Sequence, residues 1–169
     1  MQKGMTLIEL LVTLMVASVL FAVAIPSYDN VRNSQELKNN TEMIFAFVEQ
    51  VMQKAKRSNK EVTFFLSERN GLRCIGASDL TTGVQCDCFS YQLQCKVNDI
   101  PSILNDISTM VSFNGLDGNK RFEYSGVRNT MLSGNITISN KYGSAKLVFS
   151  NYGRMRVCSV DGAGGYMPC

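Results

Sequence analysis

The apolar and polar positions divide the chain into three stretches with different periods. From Met5 to Ile25, 21 residues carry one charge, Glu9, and the run stops at Pro26. That is long enough to cross a bilayer as a single helix. The composition then turns polar through Glu36. An apolar stripe with helical spacing follows at Val31, Leu37, Met43, Ile44, Phe47, Val48, Val51, Met52 and Ala55, with Glu42, Glu49, Gln50 and Gln53 on the other face. The simplest reading is one helix from about residue 5 to about residue 57. Its first half sits in a membrane or a fibre core, and its second half packs on a globular domain.

From Glu61 the period shortens. Val62–Leu66 is β-branched and aromatic, Arg69-Asn70-Gly71 is a turn, and Leu72–Gly76 reads as a returning strand. Residues 77–87 read as a loop. Phe89–Cys95 alternates as a short strand. Asp99–Thr109 is ambiguous, with Ile100, Ile103, Leu104 and Ile107 facing a core from a short helix or loop. Val111–Phe113 and Arg121–Tyr124 are further strands around a turn at 114–119. Asn135–Ser139 and Ala145–Ser150, flanking Asn140-Lys141-Tyr142-Gly143, form the clearest hairpin. A long helix followed by about six to eight short strands predicts an α+β lollipop: a helix with a membrane-spanning first half, packed on an antiparallel β-sheet domain.

Composition adds two facts. Net charge is only +3, but residues 118–169 hold seven basic residues, Lys120, Arg121, Arg128, Lys141, Lys146, Arg154 and Arg156, against Glu123 and Asp161. Such a surface is either solvated or meets a polyanion. Lys54, Lys56, Arg57 and Lys60 crowd the end of the long helix, where cations complement its dipole. Histidine is absent, which excludes serine–histidine and cysteine–histidine catalysis. No phosphate-binding glycine loop with a lysine is present. No enzyme and no cofactor are expected.

Six cysteines, Cys74, Cys86, Cys88, Cys95, Cys158 and Cys169, fit three bridges with fifteen possible connectivities. Cys158 and Cys169 stand alone at the carboxy end and are the expected pair, worth about 2–3 kcal/mol in the chain-entropy model. Cys74, Cys86, Cys88 and Cys95 are expected to pair among themselves. Zinc is disfavoured, because histidine is absent and the spacing is not that of a C-x-x-C pair.

Lys3-Gly4-Met5-Thr6-Leu7-Ile8-Glu9-Leu10-Leu11 is the most specific stretch. It is not an ordinary secretory signal, because its small residue, Gly4, precedes the apolar run. A carboxylate within such a run costs a few kcal/mol unless it lies near the interface or finds a partner. Gly4, Met5, Thr6-Leu7-Ile8-Glu9 and Leu10-Leu11 resemble the class III leader of type IV pilins and type II secretion pseudopilins. The resemblance implies that a prepilin peptidase cuts after Gly4 and methylates the amine of Met5. It implies that Glu9 pairs with that amine on a neighbouring pilin during assembly, neutralising two charges in an apolar bundle. Pro26 matches a helix-kinking proline of the family, whereas Met5 stands where phenylalanine is usual. The resemblance divides the chain into a leader at 1–4, a transmembrane or fibre-core helix at 5–25, its amphipathic continuation at 26–57, and a β-rich head with a C-terminal tail at 58–169. It places the protein in the inner membrane as a single-pass chain with a periplasmic head, then in an extracellular pilus.

Arg154 and Arg156 are two apart, so both leave one face of an extended segment while Met155 faces the other way. Two guanidiniums on one face suit phosphate, and Tyr152 nearby could stack on a base. Gly153-Arg154-Met155-Arg156, followed by Cys158 and Cys169, resembles the Gly-Arg-x-Arg tail of FimT-type minor pilins, which share the fold of GspH-type pseudopilins. This resemblance implies non-sequence-specific binding of double-stranded DNA by a pilus in natural transformation. Arg154, Arg156, Gly153, Lys146, Lys141, Arg121 and Lys120 are the candidate contacts. Two other readings stand beside it: a structural minor pilin or type II secretion pseudopilin that primes assembly without DNA, and an adhesin subunit using the loop at 74–95.

Overall fold

A computed structural model describes residues 6–79, 86–90, 95, 97, 103–105, 109–114 and 121–169, the backbone alone at 23–26 and 103–105. Helix α1, Leu7–Ser58, is one 52-residue element and is unbroken across position 26. Thr6 caps its start, and Thr6 Oγ1 accepts from Glu9 N. Its end is closed by Asn59 in the left-handed region at φ 50°. Asn59 N donates to Lys56 O and Lys60 N to Ala55 O at 3.0 Å, the paired bonds of a Schellman stop.

The two halves of α1 have opposite surroundings. Its most apolar 18-residue window has a mean hydropathy of 2.6 and no buried residue. The stripe of Leu37, Ile44, Val48, Val51 and Ala55 is buried to 1% exposure or less. Spacings of seven, four, three and four residues keep these side chains on one helix face.

Two antiparallel sheets receive that face. The first contains β1 (Glu61–Arg69), β2 (Leu72–Ser78), β3 (Ile103–Asn105), β5 (Arg121–Ser125) and β6 (Thr130–Met131), in the order β3-β2-β1-β5-β6. The second contains β4 (Met110–Asn114), β7 (Gly134–Asn140), β8 (Gly143–Phe149) and β9 (Met155–Ser159), in the order β4-β7-β8-β9. A hydrogen bond from Met131 N to Asn151 O, 3.2 Å, ties the β6 edge of the first sheet to the β8–β9 turn of the second.

Phe122 sits where the layers meet. It stacks on Phe64 at 4.4 Å, meets Phe113 edge-on at 5.3 Å and lies 5.2 Å from Phe149. Phe47 of α1 meets Phe64 edge-on at 6.3 Å, so helix and both sheets share one aromatic cluster. Gly126 lets the β5–β6 turn abut the helix end: its N–H donates to Lys60 O at 2.9 Å, and a Cβ there would collide with the Ala55 carbonyl.

The expected lollipop is present, with three corrections. There are nine strands among the described residues instead of six to eight. Ile103 and Leu104 belong to strand β3, paired with Ile75 and Cys74, instead of a helix or loop; the edge of β2 offers backbone groups that a short strand satisfies. Cys88 and Phe89 form a turn, with Phe89 N donating to Asp87 Oδ1 at 2.9 Å, instead of starting a strand. Ile100, Ile107, residues 91–94 of the expected strand and the turn at 115–119 lie outside the described residues.

Three disulfides complete the head: Cys74–Cys88, Cys86–Cys95 and Cys158–Cys169. The first two hold a segment over the outer face of β1, where Phe65 packs with Cys86, Cys95 and Cys88 as a second small core. Phe65 thus points away from the main core yet remains only 5% exposed.

Two phenols make the head sensitive to alkali. Tyr124 is 1% exposed and donates to Asn129 Oδ1 at 2.7 Å. Burial raises its pKa above the ordinary 10.0. Burial and then the negative charge of Glu42 raise that of Tyr166. Tyrosines of the unfolded chain therefore lose protons first, so the stabilisation is full below pH 10 and falls as pH climbs towards the raised folded values. Urea midpoints should drop between about pH 8 and about pH 10.5. The drop should be smaller in a Tyr124→Phe, Tyr166→Phe double variant.

Candidate functional site

The tail motif begins in the turn between β8 and β9. Ser150 N donates to Arg154 O at 3.0 Å and Gly153 N to Ser150 O at 3.0 Å, while Arg154 N reaches Ser150 Oγ at 3.2 Å. Gly153 is left-handed at φ +66°. A Cβ there would stand 3.2 Å from Asn129 Oδ1 and 3.3 Å from the Tyr124 ring. Gly153 therefore shapes the hairpin and lets it sit against the first sheet.

Strand β9 then alternates. Met155 and Val157 pack on the core, while Arg154 and Arg156 are exposed. Register places Arg156 opposite Val148 and Lys146 opposite Cys158. Lys146 and Arg156 are therefore diagonal neighbours, about 7–8 Å apart at the backbone. The four strands of this sheet contain no aspartate or glutamate. Neutral hydrogen-bonding groups stand beside these cations on the outer face of β4 and β7, where Asn114 Nδ2 donates to Asn135 Oδ1 at 3.4 Å and to Thr137 Oγ1 at 3.3 Å. Among the described residues, Arg154, Arg156 and Lys146 make no salt bridge.

The other candidate cations lie elsewhere. Lys141 occupies the β7–β8 turn, over the Tyr142 ring at 4.9 Å. Six residues of β-strand, roughly 20 Å, separate that turn from the level of Arg156. Arg121 lies on the outer face of the first sheet, opposite Phe65. Lys120 lies outside the described residues. Arg128 pairs with Glu61 at 3.6 Å, and Lys60 with Asp79 at 2.9 Å. Tyr152 is 82% exposed at the turn.

The carboxy tail braces β9. Ser159 N donates to Met167 O and Cys169 N to Ser159 O, beside the Cys158–Cys169 disulfide. Asp161 Oδ2 accepts from Ser144 N at 3.0 Å and Ser144 Oγ at 3.2 Å. Tyr166 donates to the Lys38 carbonyl of α1 at 3.5 Å.

At the other end of the molecule, Gly4 and Met5 lie outside the described residues. Glu9 is exposed in the first turn of α1, where its charge complements the helix dipole. The sequence reading missed the part played by Thr6. Thr6-x-x-Glu9 is the spacing of a capping box, and that signal stands in the sequence.

Comparison with known proteins agrees with the leader. The prokaryotic N-terminal methylation motif matches residues 1–25. With the long apolar helix and antiparallel head behind it, the match marks a type IV pilin-like protein. Proteins of that kind are structural, are processed by a prepilin peptidase and assemble with other pilins. Leader and helix fit a single-pass inner-membrane protein with a periplasmic head that later enters the pilus. An uncharacterized protein of Haemophilus influenzae is 27% identical over 165 residues, 93% of this chain and 94% of its own. No solved structure matches the chain significantly.

Gly153→Ala should destabilise the head by about 1–2 kcal/mol, the cost of a Cβ in the left-handed region. Gly153→Asn should cost less, because asparagine tolerates that region. Urea midpoints at unchanged m-value check both.

Proposed function

We propose that this chain is a minor pilin of the FimT type whose tail binds extracellular double-stranded DNA for uptake in natural transformation. The observation that carries the reading is the cluster of Arg154, Arg156 and Lys146, unpaired among the described residues, at one edge of a sheet whose strands lack carboxylates. Planar guanidiniums match phosphate oxygens in pairs, and the lysine adds a compact charge beside them. Contact of this kind reads the backbone and not the bases, so binding is sequence-tolerant and salt-dependent. Gly153 belongs to the motif as the residue that shapes its turn. Lys141 and Arg121 flank the cluster at a distance and add to the long-range field rather than to one contact surface.

The second reading is a structural minor pilin, or a GspH-like pseudopilin, that primes fibre assembly without DNA. It rests on the unburied apolar half of α1, a surface that lipid or neighbouring subunits must cover and that alone accounts for a role in assembly, with no demand on the tail. In both readings the leader is cut after Gly4, the Met5 amine is methylated and Glu9 answers that amine in a neighbour.

The full chain in detergent, titrated with labelled double-stranded DNA at two salt concentrations, separates the readings. Arg154→Ala/Arg156→Ala should weaken binding and make the slope of log K against log salt shallower by about 2. Equal binding by both proteins moves the site away from the tail, and no binding by either leaves the structural pilin. Glu9→Leu should remain in the membrane but disappear from sheared fibres under either reading, as an immunoblot of the two fractions would report.

A further inference from the structure

A cleft beside the tail turn carries carboxylates where the strand edge carries arginines. It occupies about 470 Å³ on the outer face of β1, β5 and β6, with Tyr152 at its rim. That volume is within the ordinary range for small-molecule sites, about 300–1,000 Å³. Register brings its polar groups together: Glu61 lies opposite Ser125, Thr63 opposite Glu123, and Ser125 opposite Thr130. Two carboxylates and three hydroxyls thus line one patch of sheet. Glu61 meets Arg128 at 3.6 Å and Ser125 Oγ at 3.5 Å, whereas Glu123 has no salt bridge among the described residues.

The walls are apolar and exposed. Tyr152 is 82% and Leu132 63% exposed. Neither packs into the core. The turn that carries Tyr152 is nevertheless anchored, by Met131 N to Asn151 O and by Asn129 Nδ2 to Tyr152 O at 3.5 Å. The backbone that carries this flat ring is therefore anchored at the lip of a cleft rich in hydrogen-bond acceptors and hydroxyls.

We infer that this cleft binds a hexose unit of a neutral or amine-bearing oligosaccharide. The C–H face of a pyranose ring is apolar and stacks on Tyr152, while its hydroxyls donate to Glu61 and Glu123 and exchange bonds with Thr63 and Thr130. Two carboxylates against one arginine, itself paired with Glu61, make the lining net negative and favour a sugar amine over phosphate, sulfate or sialic acid, with Arg121, the next outward residue of β5, offsetting part of that charge. The site is distinct from the arginine cluster, whose sheet has no carboxylate, so one head presents an anion-binding edge and an anion-repelling cleft on different sheets.

The test uses the full chain in a detergent without a sugar headgroup. Chitotriose, its deacetylated amine-bearing form and a sulfated oligosaccharide of similar length are the probes, read by saturation-transfer NMR and calorimetry. Chitotriose and the amine-bearing trimer should bind and the sulfated probe should not. Tyr152→Ala, at an exposed position, should keep the melting temperature and weaken both on the order of tenfold, the loss of one aromatic contact. Glu123→Gln should weaken the amine-bearing trimer more than chitotriose. Failure of both trimers to bind, equal binding by Tyr152→Ala, preference for the sulfated probe, or binding of an oligolysine peptide in their place overturns the inference. Arg154→Ala/Arg156→Ala should bind the trimers normally, so this reading and the DNA reading fail separately.

Discussion

The head depends on the burial of one helix face. Leu37, Ile44, Val48, Val51 and Ala55 have no partner on α1 itself, and both sheets converge on them. A Phe fully buried in this way contributes about 1.5–3 kcal/mol, and five aromatic rings join the stripe through Phe122. Because helix, first sheet and second sheet meet in that one cluster, neither sheet completes the main core alone, and the small Phe65 cluster on the first sheet stands apart from it. The strand order follows: β2, β1 and β5 lie inside one sheet and β7 and β8 inside the other, while the shorter strands of each sheet, β3 and β6 in the first and β4 and β9 in the second, take the edges.

The same constraint separates two kinds of surface. Alternation along β7, β8 and β9 spends every second residue on the core and leaves asparagine, threonine, lysine and arginine outside. On β1 and β5 the outward positions hold Glu61, Thr63, Ser67, Arg69, Arg121 and Glu123, with Phe65 among them under the disulfide-held segment. The strands of the second sheet therefore carry only basic charge and those of the first both signs, although they share one interior. The β8–β9 turn of the second sheet stands against the β5–β6 edge of the first, with Gly153 close to Tyr124 and Asn129 and Tyr152 at the rim of the cleft.

Much of this architecture was legible because period is a local property. The long helix, the β1–β2 hairpin and the β7–β8 hairpin follow from spacing and turn residues within a few positions of each other. Strands β3 and β6, of three and two residues, were not legible, because so short a run has no measurable period and exists only by pairing with a neighbour. The pairing of Cys74 with Cys88 and Cys86 with Cys95 was likewise a matter of which residues the fold brings together. In the candidate site, the outward direction of Arg154 and Arg156 could be read from alternation. The convergence of Lys146 on them could not, since it rests on the β8–β9 register. The separation of Arg121 and Lys141 rests on sheet membership and strand length. The cleft beneath Tyr152 assembles residues from 61 to 152 and left no signal in any one stretch.

The bracing of β9 has a mechanical meaning. An edge strand near a chain end is ordinarily the first to unzip when it is pulled, one hydrogen bond at a time. Here the Cys158–Cys169 bridge turns the end of the strand into a closed loop, and Tyr166 fastens that loop to the Lys38 carbonyl of α1. A tug applied at Arg154 and Arg156 thus reaches the shaft by two parallel routes, through β8 and through the tail. The bonds between β8 and β9 therefore share a load with the tail instead of carrying it alone.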